Sequence, residues 1–349
     1  MDRQPPLGLP YRRFDGFDPG QGYPKMKRTL SRIVAIGLLA AGTLGGLSTA
    51  QASYPDRPIR MVIPFTPGGG TDILGRYIGS ELEQALGQPI VVENVPGANG
   101  RIARQLVAKQ PADGYTLMLG SNSTHAIAPL TTNETMADLL RDFAPVSIIA
   151  NTTLVLAVSA ASPITNVAEF IAATRQKELS YGTFGLASSP HLMGELLSLN
   201  ASAPMLHIPY KGSAPAVTDV LGGHTDSVFL TVAAVSEQVA NGRLRALAIT
   251  GTSRIESMPD VPTFAEAGVA GLEDAGWFAL FVPAQVPDAI RERVAAALAK
   301  VIAKPAVQQR LATLGLEPVG SAPEATRLAW EATVRLVQDI IEKTRLKLN

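Results

Sequence analysis

The chain has 349 residues, with 30 basic and 30 acidic side chains balancing to a formal net charge of zero, and it has no cysteine. A chain of that length can bury a sizeable core and corresponds to about two domains. Its basic residues are scattered rather than gathered into a stripe, so nucleic acid is not an expected partner, and the lack of cysteine excludes thiol catalysis, disulfides and thiolate metal sites.

Residues 1–25 are polar, rich in proline and glycine and without periodicity, and read as an N-terminal extension that carries no fold information. Met26, Lys27, Arg28 and Arg32 then lead into an apolar run from Ile33 to Leu47, followed by Ala50, Gln51 and Ala52. A basic stretch, a short apolar run and a small-x-small triplet make residues 26–52 a secretory signal peptide, cut after Ala52. No later run is long and apolar enough for a membrane span. The mature protein is therefore expected to be exported and periplasmic.

From Met61 to Phe65 an apolar run meets Pro67, Gly68, Gly69 and Gly70. Ile73, Leu74, Tyr77, Ile78, Leu82 and Leu86 follow at helical spacing. This is strand, tight turn, helix, with Thr71 or Asp72 available to cap. The free N–H groups and positive dipole end of such a helix form a natural seat for an anionic group such as a carboxylate. A glycine turn that only packs its helix on a sheet fits this stretch equally well. No GKS or GKT ending and no GxGxxG spacing is present, so a nucleotide loop is not supported.

A short strand from Ile90 to Glu93 ends in NVPGANG, where Gly97 and Gly100 bracket Asn99 before a second helix from Arg101 to Lys109. The strand Tyr115–Gly120 runs into a polar loop of Ser121, Asn122, Ser123, Thr124 and His125, the kind of strand end where open parallel sheets bind ligands. Phe143 to Ser159 is apolar and β-branched except at Asn151, Thr152 and Thr153, as in a strand that crosses a polar hinge into another domain. A helix over 167–176, the strand LSYGTFG and the turn Ala187-Ser188-Ser189-Pro190-His191 follow. Strands near 205–209, 225–230 and 244–250 come next, and 253–262 turns polar as a return crossing. WFALFVPA and two long helical patterns complete the chain. The architecture is α/β in two lobes with two hinge crossings, lobe 1 being 54–151 with 253–349 and lobe 2 being 152–252. A ligand cleft lies between them.

YPDRPIRMVIPFTPGGGTD, VVENVPGANG, PADGYTLMLG, LSYGTFGLASSPHLMGELL, HIPYKGSAPAVTDVLGG and MPDVPTFAEAG occur in this order. In these segments the chain resembles the substrate-binding receptors of tripartite tricarboxylate transporters, the Bug-type family, over essentially all of Tyr54 onward. The resemblance implies a type II periplasmic-binding-protein fold that captures a small carboxylate and delivers it to inner-membrane transporter subunits, working as a monomer without a cofactor. It also implies the site. Phe65, Pro67, Gly68, Gly69, Gly70, Thr71 and Asp72 would grip one carboxylate. Ser121, Asn122 and His125 would line the cleft from one lobe, and Thr183, Ser188, Ser189, His191 and Thr231 from the other. Relatives often carry an acidic residue after the strand at 226–229, where this chain has Leu230 and Thr231, which leans against an amino-acid ligand.

His191, at a helix start, reads first as a hydrogen-bonder that orients its loop, while His207 and His224 read as structural. No histidine pair has metal-ligand spacing. Lys211 reads as a solvated lysine. Two other functions are open to these residues. One is a receptor that signals to a membrane sensor. The other is a serine hydrolase using Ser188 or Ser189 with His125 or His191 and Asp72, although ASSPH is not the GxSxG elbow.

Overall fold

The computed structural model describes residues 54–346 and 348. The extension at 1–25, the signal peptide at 26–52 and its cleavage after Ala52 lie outside the described residues.

Strand β1 (Ile59–Ile63) is buried almost throughout, as expected of a parallel strand covered on both faces. It pairs in parallel with β2 (Ile90–Asn94) on one side and β3 (Thr116–Ser121) on the other. Between β1 and β2 runs α1 (Gly70–Leu86), which buries Leu74, Ile78, Leu82 and Leu86 on one face. Gly75 lets it lie close to the sheet, because a Cβ there would come within 2.5 Å of Ile63 Cδ1. Helix α2 (Arg101–Val107) returns to β3, and α3 (Met136–Asp142), held by a reciprocal cap between Thr135 and Asp138, leads into β4 (Phe143–Thr152). Strand β10 (Trp277–Pro283) lies antiparallel between β3 and β4, and β11 (Leu316–Pro318) closes the edge. The sheet order is β11-β4-β10-β3-β1-β2.

A second sheet repeats the plan. Strand β5 (Leu154–Ser159) follows β4 after Thr153 alone, and β6 (Leu179–Thr183), β7 (Met205–Pro209), β8 (Ser227–Thr231) and β9 (Leu244–Ile249) complete the order β7-β6-β8-β5-β9. Strand β6 is parallel to β7 and β8, while β5 is antiparallel to β8 and β9. Its helices are α4 (Val167–Gln176), α5 (Ser189–Ala201), α6 (Ser213–Leu221) and α7 (Val232–Ala240). After β10 come α8 (Asp288–Ile302), α9 (Pro305–Thr313) and α10 (Pro323–Thr344). The chain passes from the first sheet to the second across the break in the apolar run at 151–153, where Thr152 N–H donates to Gly276 C=O at 2.9 Å.

Phe264, Val269, Leu272 and Ala275 are buried in one cluster with Phe170, Tyr181 and Phe229 of the second lobe, as is Val337 of α10. We propose on that packing that the return crossing lies near Gly276 rather than at 252/253, and that the end of α10 braces the second lobe. Among the described residues no helix is long and apolar enough to cross a membrane.

Candidate functional site

The ends of β1 and β8, one from each sheet, meet at the seam between the lobes, and the helices that follow them begin there. Helix α1 starts after Gly69, α6 after Gly212 and α7 after Thr231, and none of the three has a side-chain cap. Their N-termini face one another. A Cβ on Gly69 would lie 3.5 Å from Ser213 N, and one on Gly70 would lie 2.4 Å from Thr231 Oγ1 and 3.3 Å from Ala233 Cβ. The three helix ends lack side-chain caps and turn partial positive charge towards the same seam, although Val232 N–H of α7 already donates to Thr153 C=O at 3.1 Å; an anion would relieve their mutual repulsion.

Thr66 and Thr231 lie at this seam, since a Cβ on Gly212 would come within 2.2 Å of Thr66 Oγ1 and one on Gly70 within 2.4 Å of Thr231 Oγ1. Thr66 Oγ1, Ser121 Oγ, Thr231 Oγ1, Asn99 Oδ1 and Asn122 Oδ1 are buried without a partner among the described residues. Leaving such groups unpaired costs about 1–3 kcal/mol each, so a ligand that supplied partners would recover much of that. Thr66, Asn99 and Ser213 are not among the residues expected from the sequence. The only signals for them were the glycines that flank Asn99 and precede Ser213.

The lobes also bond directly. Ser189 N–H, at the start of α5, donates to Ser123 Oγ at 2.8 Å, and Asn99 Nδ2 donates to Ala187 C=O at 2.7 Å. Asn122 Nδ2 donates to Ala275 C=O at 3.1 Å, packed against Gly276. Phe65 meets Phe184 edge to face with ring centroids 5.1 Å apart. The two lobes are closed on each other.

Two of the expected side chains are engaged within the protein. The Asp72 carboxylate accepts from Gly68 N–H at 3.0 Å, Arg76 Nε at 3.0 Å and Asn94 Nδ2 at 2.9 Å. Arg76, Gly68 and Asn94 hold its pKa below the usual carboxylate range against the opposing effect of burial. A carboxylate so committed holds the glycine loop in shape and would repel a second one. His125 is fully buried, stacked on Phe281 at 3.8 Å and edge-on to Phe143 and Trp330, with Nδ1 bonded to Thr124 Oγ1. It is a core histidine, and burial together with the charge of Arg104 pushes its pKa well down.

The second lobe's turn is held from behind. Ser188 caps α5, accepting from His191 N–H and donating to Gly185 C=O at 2.6 Å. Ala187 N–H donates to His191 Nδ1 at 3.1 Å, and Thr183 Oγ1 bonds His207 Nε2 at 2.7 Å. Neither serine hydroxyl is bonded to a histidine ring, so these groups form no nucleophile–base pair. Pro67 and Gly68 are exposed, and Thr71 is buried in the first turn of α1.

His191 and His207 are stacked at 3.8 Å. Burial pushes His191 down to about 4, while burial and the neighbouring His191 push His207 down to about 3. Both pKa values fall below the unfolded value of about 6.5, so burial of the neutral rings costs nothing above that pH. Stability then declines progressively as pH falls from about 6.5 towards the folded values of about 4 and about 3, where the decline ends. Urea unfolding midpoints should decline through this range, and His207→Gln should flatten the decline. An unchanged slope in that variant would remove the pair from the account.

The chain matches the family model described as "Tripartite tricarboxylate transporter family receptor" over residues 74–346. It is 34% identical to Protein BugT of Bordetella pertussis (strain Tohama I) over 323 residues, covering 91% of this chain and 99% of that one. A solved structure described as a periplasmic transporter superposes with a TM-score of 0.82 at 36% identity, covering 85% of this chain and all of that one. Rpa4515 of R. palustris, solved with adipate, superposes with a TM-score of 0.78 at 34% identity, covering 83% and 97%.

Proposed function

This chain belongs to the tripartite tricarboxylate transporter receptor family, and from that premise we propose that it is an exported periplasmic receptor. It closes over one small carboxylate and hands it to inner-membrane transporter subunits, with no chemistry of its own. The observation that carries this reading is the seam, where the uncapped starts of α1, α6 and α7 meet among buried hydroxyls that have no partner. Several preoriented donors hold a carboxylate without an arginine clamp, each charge-assisted bond being worth roughly 1.5–3 kcal/mol. Closure of the lobes excludes water and strengthens every one of them. Adipate in the related Rpa4515 supports a carboxylic acid as the ligand class. The committed serines and the core position of His125 support a receptor over a hydrolase.

The test is a thermal-shift panel on the exported protein, whose N-terminus mass spectrometry should place at Ser53. At least one carboxylic acid is expected to raise the melting temperature with rising concentration, by mass action, while its amide does not. A panel of acids that leaves the melting temperature unmoved would sink the carboxylate reading.

A further inference from the structure

A crevice of about 750 Å³, a volume that suits a small organic ligand, lies where the chain passes between the sheets. Its walls come from β11, the end of β4, the stretch 250–253 after β9 and the chain at 273–277. In the first sheet β4 stands between β11 and β1, and in the second β5 stands between β9 and the strands β8 and β7. The two strands that carry the chain across therefore separate this crevice from the seam. A rotation about 151–153 that parts the lobes at the seam narrows the crevice behind it.

Four carboxylates line this space, those of Glu256, Glu273, Asp274 and Glu317, with no lysine, arginine or histidine among them. None of the four is in an ion pair among the described residues, and Arg254, two residues before Glu256, is committed to Glu266 at 2.9 Å. Like charges gathered in a crevice repel one another and hold a negative potential there. Thr152 points the same way by a different route. It lines the crevice and is only 8% exposed, yet its Oγ1 has no hydrogen-bond partner among the described residues. That hydroxyl can accept from an ammonium group. Among the described residues no three acidic or imidazole groups are placed to hold a metal ion, so separate cationic groups on one extended molecule fit these carboxylates better than a single ion does.

We propose that this crevice binds a small organic polycation with two or more ammonium groups, and that its occupant favours the closed lobes, because closure at the seam keeps the crevice open. The coupling is reciprocal: a ligand at the seam strengthens the hold on the polycation by the factor with which the polycation strengthens the hold on that ligand.

Calorimetric titration of the exported protein with spermidine, beside butylamine as a singly charged control, tests this. Spermidine should bind one to one and at least about tenfold more tightly than butylamine. The double variant Glu256→Gln/Glu317→Gln, at two exposed positions, should weaken spermidine binding at least about tenfold, and added salt should weaken it too. With spermidine saturating, the best acid of the thermal-shift panel should bind at least about fivefold more tightly than without it. Absence of one-to-one binding, equal affinity for the two amines, or full affinity in the double variant overturns the site. An acid affinity that spermidine leaves unchanged overturns its coupling to closure. Spermidine binding is read without any acid, so the site stands or falls separately from the carboxylate reading.

Discussion

Gly70→Ala is expected to weaken carboxylate binding by roughly 10² to 10⁴ in dissociation constant. Within α1 alone the change is favourable, because alanine suits a helix better than glycine by about 1 kcal/mol. The cost arises across the seam. The new methyl would stand 2.4 Å from Thr231 Oγ1, with Ala233 Cβ behind it at 3.3 Å. Rotating Thr231 moves its hydroxyl off the seam, and keeping it there forces the lobes apart. If closure then fails to bring two of the charge-assisted bonds to the ligand, the loss is about 3–6 kcal/mol, roughly 10² to 10⁴ in dissociation constant. Gly69→Ala, whose Cβ would also point into the seam but find its nearest neighbour, Ser213 N, at an ordinary 3.5 Å, is expected to weaken binding less. Titration of both variants with the best acid from the panel decides the matter. An unaltered affinity in Gly70→Ala would mean that the ligand does not sit where α1 meets α7.

The two lobes were legible because their strands are nearly uniform apolar runs and the polar break at 151–153 is short and sharp. The glycine loop was legible for the same reason, a strong local pattern before a periodic helix. What faces that loop was not. Ser213 follows β7 and Thr231 ends β8, well over a hundred residues away, and no local pattern says which turn of one lobe meets which turn of the other. His125 shows the opposite failure. Its neighbours Ser121 to Thr124 read as a binding loop, but the imidazole turns inward among Phe143, Phe281 and Trp330, and its C=O accepts from Trp330, 205 residues away. The partners of the Asp72 carboxylate were not legible either. An acid three residues after a helix start reads as a cap, and here it reaches back to Gly68 N–H and is tied down by Arg76 and Asn94.

Trp330→Ala should produce the complementary phenotype, a large loss of stability with ligand recognition retained in whatever fraction stays folded. Trp330 is fully buried on α10, the long helix that packs across β4 and sends its far end to the second lobe's core. Its ring meets Phe281 edge-on at 5.0 Å and His125 at 5.8 Å, and its Nε1–H donates to His125 C=O. Truncation empties the space of an indole and strips a buried carbonyl of its donor, so roughly 3–5 kcal/mol is expected from the cavity, with about 1–3 kcal/mol more from the unpaired carbonyl. Trp330→Phe keeps most of the volume and loses the donor, which separates the two contributions in urea unfolding. None of these contacts touches the starts of α1, α6 or α7, so a saturating acid should still raise the melting temperature of Trp330→Ala by a shift similar to that of the unaltered protein. A stability loss under about 1 kcal/mol would show that α10 is not a structural brace. Loss of the ligand-induced shift in a folded variant would place recognition, against the seam geometry, in the aromatic core behind His125.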